Sequence, residues 1–451
     1  VDQLSAASSS AGRAETLSEQ QASKLLTRRL TQRIGEQGPI PVSEYLLTCL
    51  YDPEAGFYMR SGGGRPGGRS GHFLTAPEVG PLFGEVLARA LDSWWSELGE
   101  PDPFTVIDWG AGPGTLARSL LAAEPACAAT GALQLVLVEL SPAQRALHPA
   151  APDPPSQSSS PQSSSPPPPP PSSSSTQSRL LSSPEPRPLV VSVSTVAEAL
   201  PRGVSAGVVL ANELLDNLPF DVVRRASHGW EELRVNVQDR HNSFALVAVS
   251  AAEELVAGLP EMEVGALVPV QRAARRWVAE AHRLLGVGRI VAFDYGSTTS
   301  VLAQRSNPLP ISAEPLSQTA KRQTAKQESS SPPLQLSNPL TDVACNWGWL
   351  RTHRLHQSTA SWLSNPGLCD ITSDVAFDQV QADHQAEVCT QAEFLRAHGV
   401  DELADEGRTV WSERAAVGDL KALKARSRVR EAEALTDPKG LGAFTALIWT
   451  V

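Results

Sequence analysis

The 451-residue chain has few cysteines and no close pair of them: positions 49, 127, 345, 369 and 389 are scattered, with no C-x-x-C. So odd and dispersed a set supplies neither a zinc knuckle nor a disulfide framework, and it suits a reducing compartment. No stretch approaches the ~18 consecutive apolar residues of a membrane-spanning helix, so no membrane span is expected. The first residues lack the apolar core of a secretory signal. Positive charge is in deficit: 38 Lys and Arg against 49 Asp and Glu leave a formal net charge of −11. A nucleic-acid surface needs a basic stripe, so this balance argues against one and mildly favours a small cationic substrate. The glycine- and arginine-rich stretch 61–70 lacks the lysine and the strand–helix setting of a P-loop and reads as a surface loop. The Ser/Ala-rich start followed by Arg28, Arg29 and Arg33 has some features of a mitochondrial transit peptide. Asp2, Glu15 and Glu19 count against that, and a cytoplasmic location is expected.

What is present is a strand, a glycine turn and a helix start, in that order. Residues 104–107 read as a buried parallel strand ending in Asp108. Gly110, Gly112 and Gly114 follow, and Thr115 opens a helical pattern through Leu116, Leu120 and Leu121. Positions without side chains at such a turn let a ligand approach the backbone. Dinucleotide folds use G-x-G-x-x-G, whose third glycine permits close helix packing, but the third place here is Thr115. The spacing is instead D-x-G-x-G-x-G, the form usual in class I S-adenosylmethionine methyltransferases. A second strand, 133–140, carries Glu139 near its end, where an acid can accept both ribose hydroxyls. A ligand-free tight turn would account for the glycines alone. The acid on the neighbouring strand favours the nucleoside.

Taken in order, residues 1–16 read as disordered, and Ser18 with Gln21 forms a capping box for an amphipathic helix over 18–36 that Gly38-Pro39 ends. A short helix at 43–50, an aromatic turn at Gly56, Phe57 and Tyr58, and a long helix through Phe83, Leu87, Leu91 and Trp94 lead to the glycine turn. Further parallel strands are expected at 189–193, 207–211 and 289–293, and an inserted antiparallel pair at 231–237 and 244–249. An exposed apolar face on that inserted hairpin would suit a homodimer. Helices are expected at 268–285, 391–398 and 418–434, with a last strand at 443–450. Two tracts, 152–188 (with prolines at 166–171) and 306–345, are too rich in Ser, Gln and Pro to bury apolar surface. The domain plan is therefore a disordered 1–16, an N-terminal helical cap and contact segment 17–100, a Rossmann-like core 101–305, the tract 306–345, and a closing part 346–451. The fold class is α/β: a Rossmann-like sheet with helices on both faces, an N-terminal helical extension and an inserted antiparallel subdomain.

The longer motifs carry a resemblance. GPIPVSEYL (38–46), DPEAGFY (52–58), GHFLTAPE (71–78), LFGE (82–85), VLVELSPAQR (136–145), ANELLDNLPFD (211–221), FDYG (293–296), WLRTHRLH (349–356) and DITSDVAFD (370–378) occur in this order. In them the chain resembles the MidA-like family of class I S-adenosylmethionine-dependent methyltransferases, whose mitochondrial member is a protein-arginine methyltransferase. The resemblance implies S-adenosyl-L-methionine as cofactor and a protein substrate. It places Thr75, Pro77 and Glu78 beside Asp108, Gly110, Gly112, Gly114 and Glu139 among the cofactor contacts. The chain departs from the family at His72, where Asp is usual, and in reading Asp-Trp-Gly-Ala-Gly for Glu-Leu-Gly-Pro-Gly, which keeps the acid and the glycines.

In doubly wound sheets ligands lie beyond the carboxyl ends of the strands. Asp108, Glu139, Asn212-Glu213 and Asp294-Tyr295 all fall at such ends. An arginine acceptor stays charged and needs carboxylates to orient it and to localise its charge away from the attacking nitrogen. Glu213 is the expected substrate-facing acid and Asn212 an orienting carboxamide. Asp216 would share Glu213's face if 212–218 forms a helical turn, although capping the next turn would also explain it. His72 could assist proton removal, though a structural role is the plainer reading. His353 and His356, with Arg351 and Arg354, make a weak ligand set, and no metal is expected. Two other classes stay open: a nucleotide-dependent oxidoreductase, and a non-catalytic cofactor-binding assembly module.

Overall fold

The computed structural model describes residues 17–60, 75–149, 190–238, 243–306, 347–354, 357–358 and 362–451. Helix α1 (Glu19–Gln37) starts at the capping box, with Ser18 and Gln21 satisfying each other's backbone N–H groups. Its buried stripe is Ala22, Leu26, Leu30 and Ile34, and Gly38, at φ 81°, returns its N–H to Ile34. Strand β1 (Ile40–Pro41), α2 (Val42–Tyr51), α3 (Ala76–Val79) and α4 (Leu82–Glu97) follow. Next come β2 (Phe104–Trp109), α5 (Thr115–Ala122), β3 (Leu133–Val138), β4 (Val190–Val193) and β5 (Gly207–Asn212). The second half of the chain brings β6 (Asp221–Ala226), β7 (Gly229–Val237), β8 (Phe244–Ser250), β9 (Leu267–Val270), α6 (Arg272–Leu284) and β10 (Gly288–Asp294). It continues through β11 (Leu350–Arg354), β12 (Asp370–Ser373), β13 (Glu387–Thr390), α7 (Gln391–Ala397), α8 (Val400–Arg414), α9 (Leu420–Leu435) and β14 (Thr445–Thr450).

Seven strands form the main sheet in the order β13-β14-β10-β5-β2-β3-β4. The strands β10, β5, β2, β3 and β4 are mutually parallel, and β14 runs antiparallel to both β10 and β13. Alternate residues of each strand enter different cores, as the two-residue period requires. Val106, Val291 and Phe293 pack with α4, α5 and α7, whereas Ile107, Ile290 and Ala292 pack with Trp277 and Val278 of α6. Phe293 meets Phe83 and Phe394 edge-on, at centroid distances of 5.4 and 4.9 Å. The expected α/β sheet with helices on both faces is what the chain forms.

A second sheet of five strands joins β1 to β6, β7, β8 and β9, which follow β5 in the chain. It contains the expected hairpin, β7 with β8, but three departures are notable. Residues 268–270 were expected within a helix and belong instead to strand β9. All four residues of the strand are buried, and Pro269 is tolerated because β9 lies at the sheet's edge, where a missing N–H costs no ladder bond. Helix α6 begins only at Arg272. The apolar face of the hairpin, on which the homodimer expectation rested, is not exposed. Leu233, Val235, Phe244 and Leu246 pack in one cluster with Tyr45 and Leu46 of α2. Helix α8 was not expected at all.

Candidate active site

The glycine turn takes up the conformation its sequence requires. Gly110, Gly112 and Gly114 have φ of 81°, 52° and 76°, a region side chains disfavour. The Gly110 and Ala111 N–H groups donate to the Val138 carbonyl at 2.9 and 3.1 Å, folding the turn across the end of β3. Space is short as well: a Cβ on Gly110 would lie 2.9 Å from Leu214 Cδ1, and one on Gly114 would lie 3.1 Å from His148 Cδ2. Gly114 is also the N-cap of α5.

Glu139 closes this cradle. Its Oε2 accepts from the Gly112 N–H at 3.0 Å and its Oε1 from the Ser141 N–H at 2.7 Å. Arg145 donates to the Glu139 and Leu140 carbonyls at 2.6 and 2.9 Å, pinning the chain behind the acid. Burial pushes Glu139 up to about 7, against the pull of its N–H donors. Asp108, 3% exposed, is also pushed up to about 7, first by burial and then by repulsion from Glu139, and its Oδ2 is buried with no hydrogen-bond partner. His148 latches the rim. Its Nε2 lies 2.8 Å from the Gly112 carbonyl, which can only accept, so the neutral ring leaves Nδ1 to accept from the Ser192 hydroxyl at 2.8 Å. Burial lowers the pKa of this ring, which favours that neutral form.

At the end of β5 the backbone turns sharply. Glu213, at φ 51°, is one of few non-glycine residues in the left-handed region, and its N–H donates to the Phe293 carbonyl at 2.8 Å. Its Oε1 accepts from the Ala76 N–H at 3.2 Å and from Asn212 Nδ2 at 3.3 Å, while Asn212 Oδ1 is buried and unpartnered. Burial, then repulsion from Asp216, raises Glu213 to about 8. Asp216 sits on a short 3-10 turn, Leu215–Asn217. The helical turn over 212–218 that was to place Glu213 and Asp216 on one helical face does not form, because the left-handed Glu213 breaks it. The two acids nonetheless remain close enough to repel. The Tyr295 hydroxyl donates to Asp216 Oδ2, and with its proton so used it accepts from Thr372 at 2.8 Å. Asp216 is held at about 6, raised by burial and opposed by the Tyr295 bond and the nearby Arg351. Asp294 is structural: it accepts from the Leu215 and Asp216 N–H groups at 2.9 and 3.2 Å and from its neighbour Tyr295 at 2.9 Å, so it caps the turn.

The structure thus brings Asp108, Gly110, Gly112, Gly114 and Glu139 into one cradle, and Asn212, Glu213 and Asp216 into one adjoining cluster. From the segment 75–78 it is the Ala76 N–H that reaches Glu213. Thr75 and Pro77 are buried beside it and Glu78 is half-buried. His72 and His356 lie outside the described residues. Among the described residues no group of His, Cys, Asp and Glu is placed to hold a metal ion. The sequence reading missed Tyr58 and Asp370, which are bonded at 2.5 Å across 312 positions of chain, and His148, which no motif singles out.

The donor set fits an S-adenosyl cofactor. Three glycines carry the turn through the left-handed region, Glu139 would accept from a ribose diol, and the unpartnered oxygens of Asp108 and Asn212 would accept further donors or face positive charge.

The model of a family described as "Putative S-adenosyl-L-methionine-dependent methyltransferase" matches residues 86–395, more than half of the chain. The Drosophila melanogaster "Protein arginine methyltransferase NDUFAF7 homolog, mitochondrial" is 38% identical over 117 residues, 26% of each chain. The Danio rerio protein arginine methyltransferase NDUFAF7, also mitochondrial, is 27% identical over 218 residues, 48% of this chain and 47% of its own. The matched stretches thus span about a quarter to a half of these relatives' lengths. A solved structure from Burkholderia thailandensis, bound to S-adenosyl-homocysteine, superposes with a TM-score of 0.65 at 24% identity, over 95% of this chain and 92% of its own, and shows the same fold. The relatives' mitochondrial names overturn the expectation of a cytoplasmic location. Of the acids weighed against a targeting segment, Glu19 belongs to the first turn of α1, where an acid complements the helix dipole, and so carried no information about targeting. The chain belongs to this S-adenosyl-L-methionine-dependent methyltransferase family.

Proposed function

We propose that the protein transfers a methyl group from S-adenosyl-L-methionine to an arginine side chain of a protein, in the mitochondrion, as its relatives' names describe for them. The observation that carries this reading is the adjacency of the glycine cradle closed by Glu139 to the buried pair Glu213 and Asp216. In this reading Gly110, Gly112 and Gly114 admit the cofactor to the backbone, Glu139 accepts its ribose hydroxyls, and Asp108 and the Asn212 carbonyl take its remaining donors or positive charge. Thr75, Pro77 and Glu78 flank it from α3. The cofactor's sulfonium supplies the methyl group and the leaving group.

The protein's part is alignment and charge. Glu213 and Asp216 accept N–H bonds from the guanidinium and hold its charge on the nitrogens that do not react. Glu213 Oε1 already takes two bonds, which leaves Oε2 for the acceptor and, as nitrogen loses its proton on methylation, for that proton. A carboxylate raised to about 8 is a competent base near neutral pH. The oxidoreductase and assembly-module readings have no specific observation in their favour.

Calorimetric titration of the full chain with S-adenosylmethionine and S-adenosylhomocysteine tests the cofactor, and mass spectrometry of lysate proteins after labelled-donor incubation tests the acceptor. Gly112→Arg fills the cradle and should abolish binding. No heat with either ligand, in folded protein, would sink the proposal.

A further inference from the structure

The small sheet of β11 and β12 faces the acceptor cluster. The strands are antiparallel, with His353 opposite Asp370 and Arg351 opposite Thr372. Opposed residues share a face, as do alternate residues of one strand, so these four stand on one side of the sheet. Three contacts fix where that side looks. The Tyr58 hydroxyl donates to Asp370 Oδ1 at 2.5 Å, and the Tyr295 hydroxyl bridges Thr372 and Asp216. The Arg351 guanidinium carbon lies 4.3 Å from the Tyr295 ring centroid. Asp370 is 3% exposed, and repulsion links it to both Asp216 and Glu213.

Resting on the function proposed above, we propose that Asp370 is a third acid of the acceptor pocket, a specificity-determining residue that selects a guanidinium over neutral or single-centred acceptors. Glu213 and Asp216, on the turn that follows β5, and Asp370, on β12, converge from two distant segments on one space. A guanidinium offers five N–H donors in one plane, an ammonium three from one point, and a neutral urea no charge to offset the acids. The nearby cation, Arg351, is already engaged, 2.7 Å from Asp374 and stacked on Tyr295. Buried carboxylates without a cation of their own are costly, and a bound guanidinium relieves that cost. Asp370, pushed up to about 7 by burial, then ionises as the cation enters.

The test uses the full chain saturated with S-adenosylhomocysteine and three probes: the N-acetyl amides of arginine, lysine and citrulline. Calorimetry should show the arginine probe binding about tenfold or more tighter than citrulline, ~1.4 kcal/mol, with lysine between. Asp370→Asn should remove that preference while leaving citrulline and S-adenosylhomocysteine affinities within about twofold. Titrations in two buffers of different ionisation enthalpy should show proton release with arginine near pH 7, diminished in Asp370→Asn, a readout that a merely structural residue would not move. Tyr58→Phe, which keeps the acid and drops its hydrogen bond, should fall between wild type and Asp370→Asn. Equal affinity of the wild type for arginine and citrulline, or no binding of the arginine probe at tens of millimolar, would overturn the inference, and neither result needs a variant to fold. A variant that loses S-adenosylhomocysteine along with arginine would overturn it too. Failure of the wild type to bind S-adenosylhomocysteine would instead sink the function on which it rests.

Discussion

Asp108→Asn should stabilise the cofactor-free protein at high pH while weakening its hold on the cofactor. Asp108 is raised from 3.8 to about 7, chiefly by burial, with one oxygen unpartnered. A carboxyl whose folded value lies above its unfolded value favours the folded state most at low pH. That advantage is lost as pH rises from the unfolded value to the folded one, and the curve is flat beyond. Each unit is worth about 1.36 kcal/mol, so between pH 5 and 7 the wild type loses about 2–3 kcal/mol on this group's account, as an upper limit. Asparagine carries no such burden. Urea unfolding of both proteins at about pH 5, 6, 7 and 8 should therefore show the variant gaining ~2–3 kcal/mol on the wild type between pH 5 and pH 8, nearly all of it below pH 7. Over the same range its affinity for S-adenosylmethionine should fall about tenfold, because a neutral amide cannot offset the ligand's positive charge. A variant that is destabilised equally at every pH, or that binds the cofactor as tightly as wild type, would refute the reasoning.

Glu213→Gln keeps the shape and removes the charge; initial rates with labelled donor should fall about 10²–10³-fold in kcat, with S-adenosylhomocysteine affinity within about twofold. Gly110→Ala forces an alanine to φ 81° and sets its Cβ 2.9 Å from Leu214 Cδ1, next to Glu213. The strain of ~1–2 kcal/mol should lower Tm by a few degrees in thermal unfolding and loosen cofactor binding, and an unchanged affinity would count against the cradle. Gly80→Ala would put a Cβ 2.2 Å from Glu431 Cδ, a buried side chain that accepts from the Leu82 N–H at 3.1 Å and the Ser427 hydroxyl at 2.8 Å. Displacing α3 in this way should cost ~1–3 kcal/mol in denaturant unfolding and, through the Ala76 N–H, reduce turnover.

The central strands β2, β3, β5 and β10 were legible because they are buried, near-continuous apolar runs, each closed by an acid, whereas the half-exposed edge strand β13 carries no such run and was not read. The second sheet was legible only where β7 and β8 alternate. Strand β6 opens on a buried Asp221, paired with Arg272 at 2.8 Å and accepting from the Ser43 hydroxyl at 2.5 Å, and β9 contains Pro269, so neither carries a strand signature. Helix α8 escaped because it packs through small residues. Gly407 lets it approach α9 until a Cβ there would lie 2.9 Å from the Ala425 carbonyl, and the buried stripe of Val400, Leu403, Ala404 and Gly407 is confined to its first two turns, too short to stand out. In the site, strand-end acids could be found from topology alone. The left-handed turn at Glu213 could not, since glycine rather than glutamate normally marks such a position.

The acids also explain why the second half of the chain belongs to the site. Burying Asp108, Glu139, Glu213, Asp216 and Asp370 near one another opposes folding, since each is pushed toward neutrality by burial, and repulsion among them adds to it at Asp108, Glu213 and Asp370. A purely structural cluster would be matched by buried arginines or lysines. The nearby arginines offset only part of that charge: Arg145 eases Glu139 and Arg351 eases Asp216 from a distance, while their own bonds go to backbone carbonyls and to Asp374 and Tyr295. Neutral donors hold the acids in place instead: the Gly112, Ser141 and Ala76 N–H groups and the hydroxyls of Tyr58 and Tyr295. Such donors fix orientation without cancelling charge. The deficit stays available to a ligand that brings positive charge, as both a sulfonium cofactor and a guanidinium acceptor do. The stability given up in the empty protein then returns as binding free energy for cations, and that discriminates against neutral molecules of the same shape.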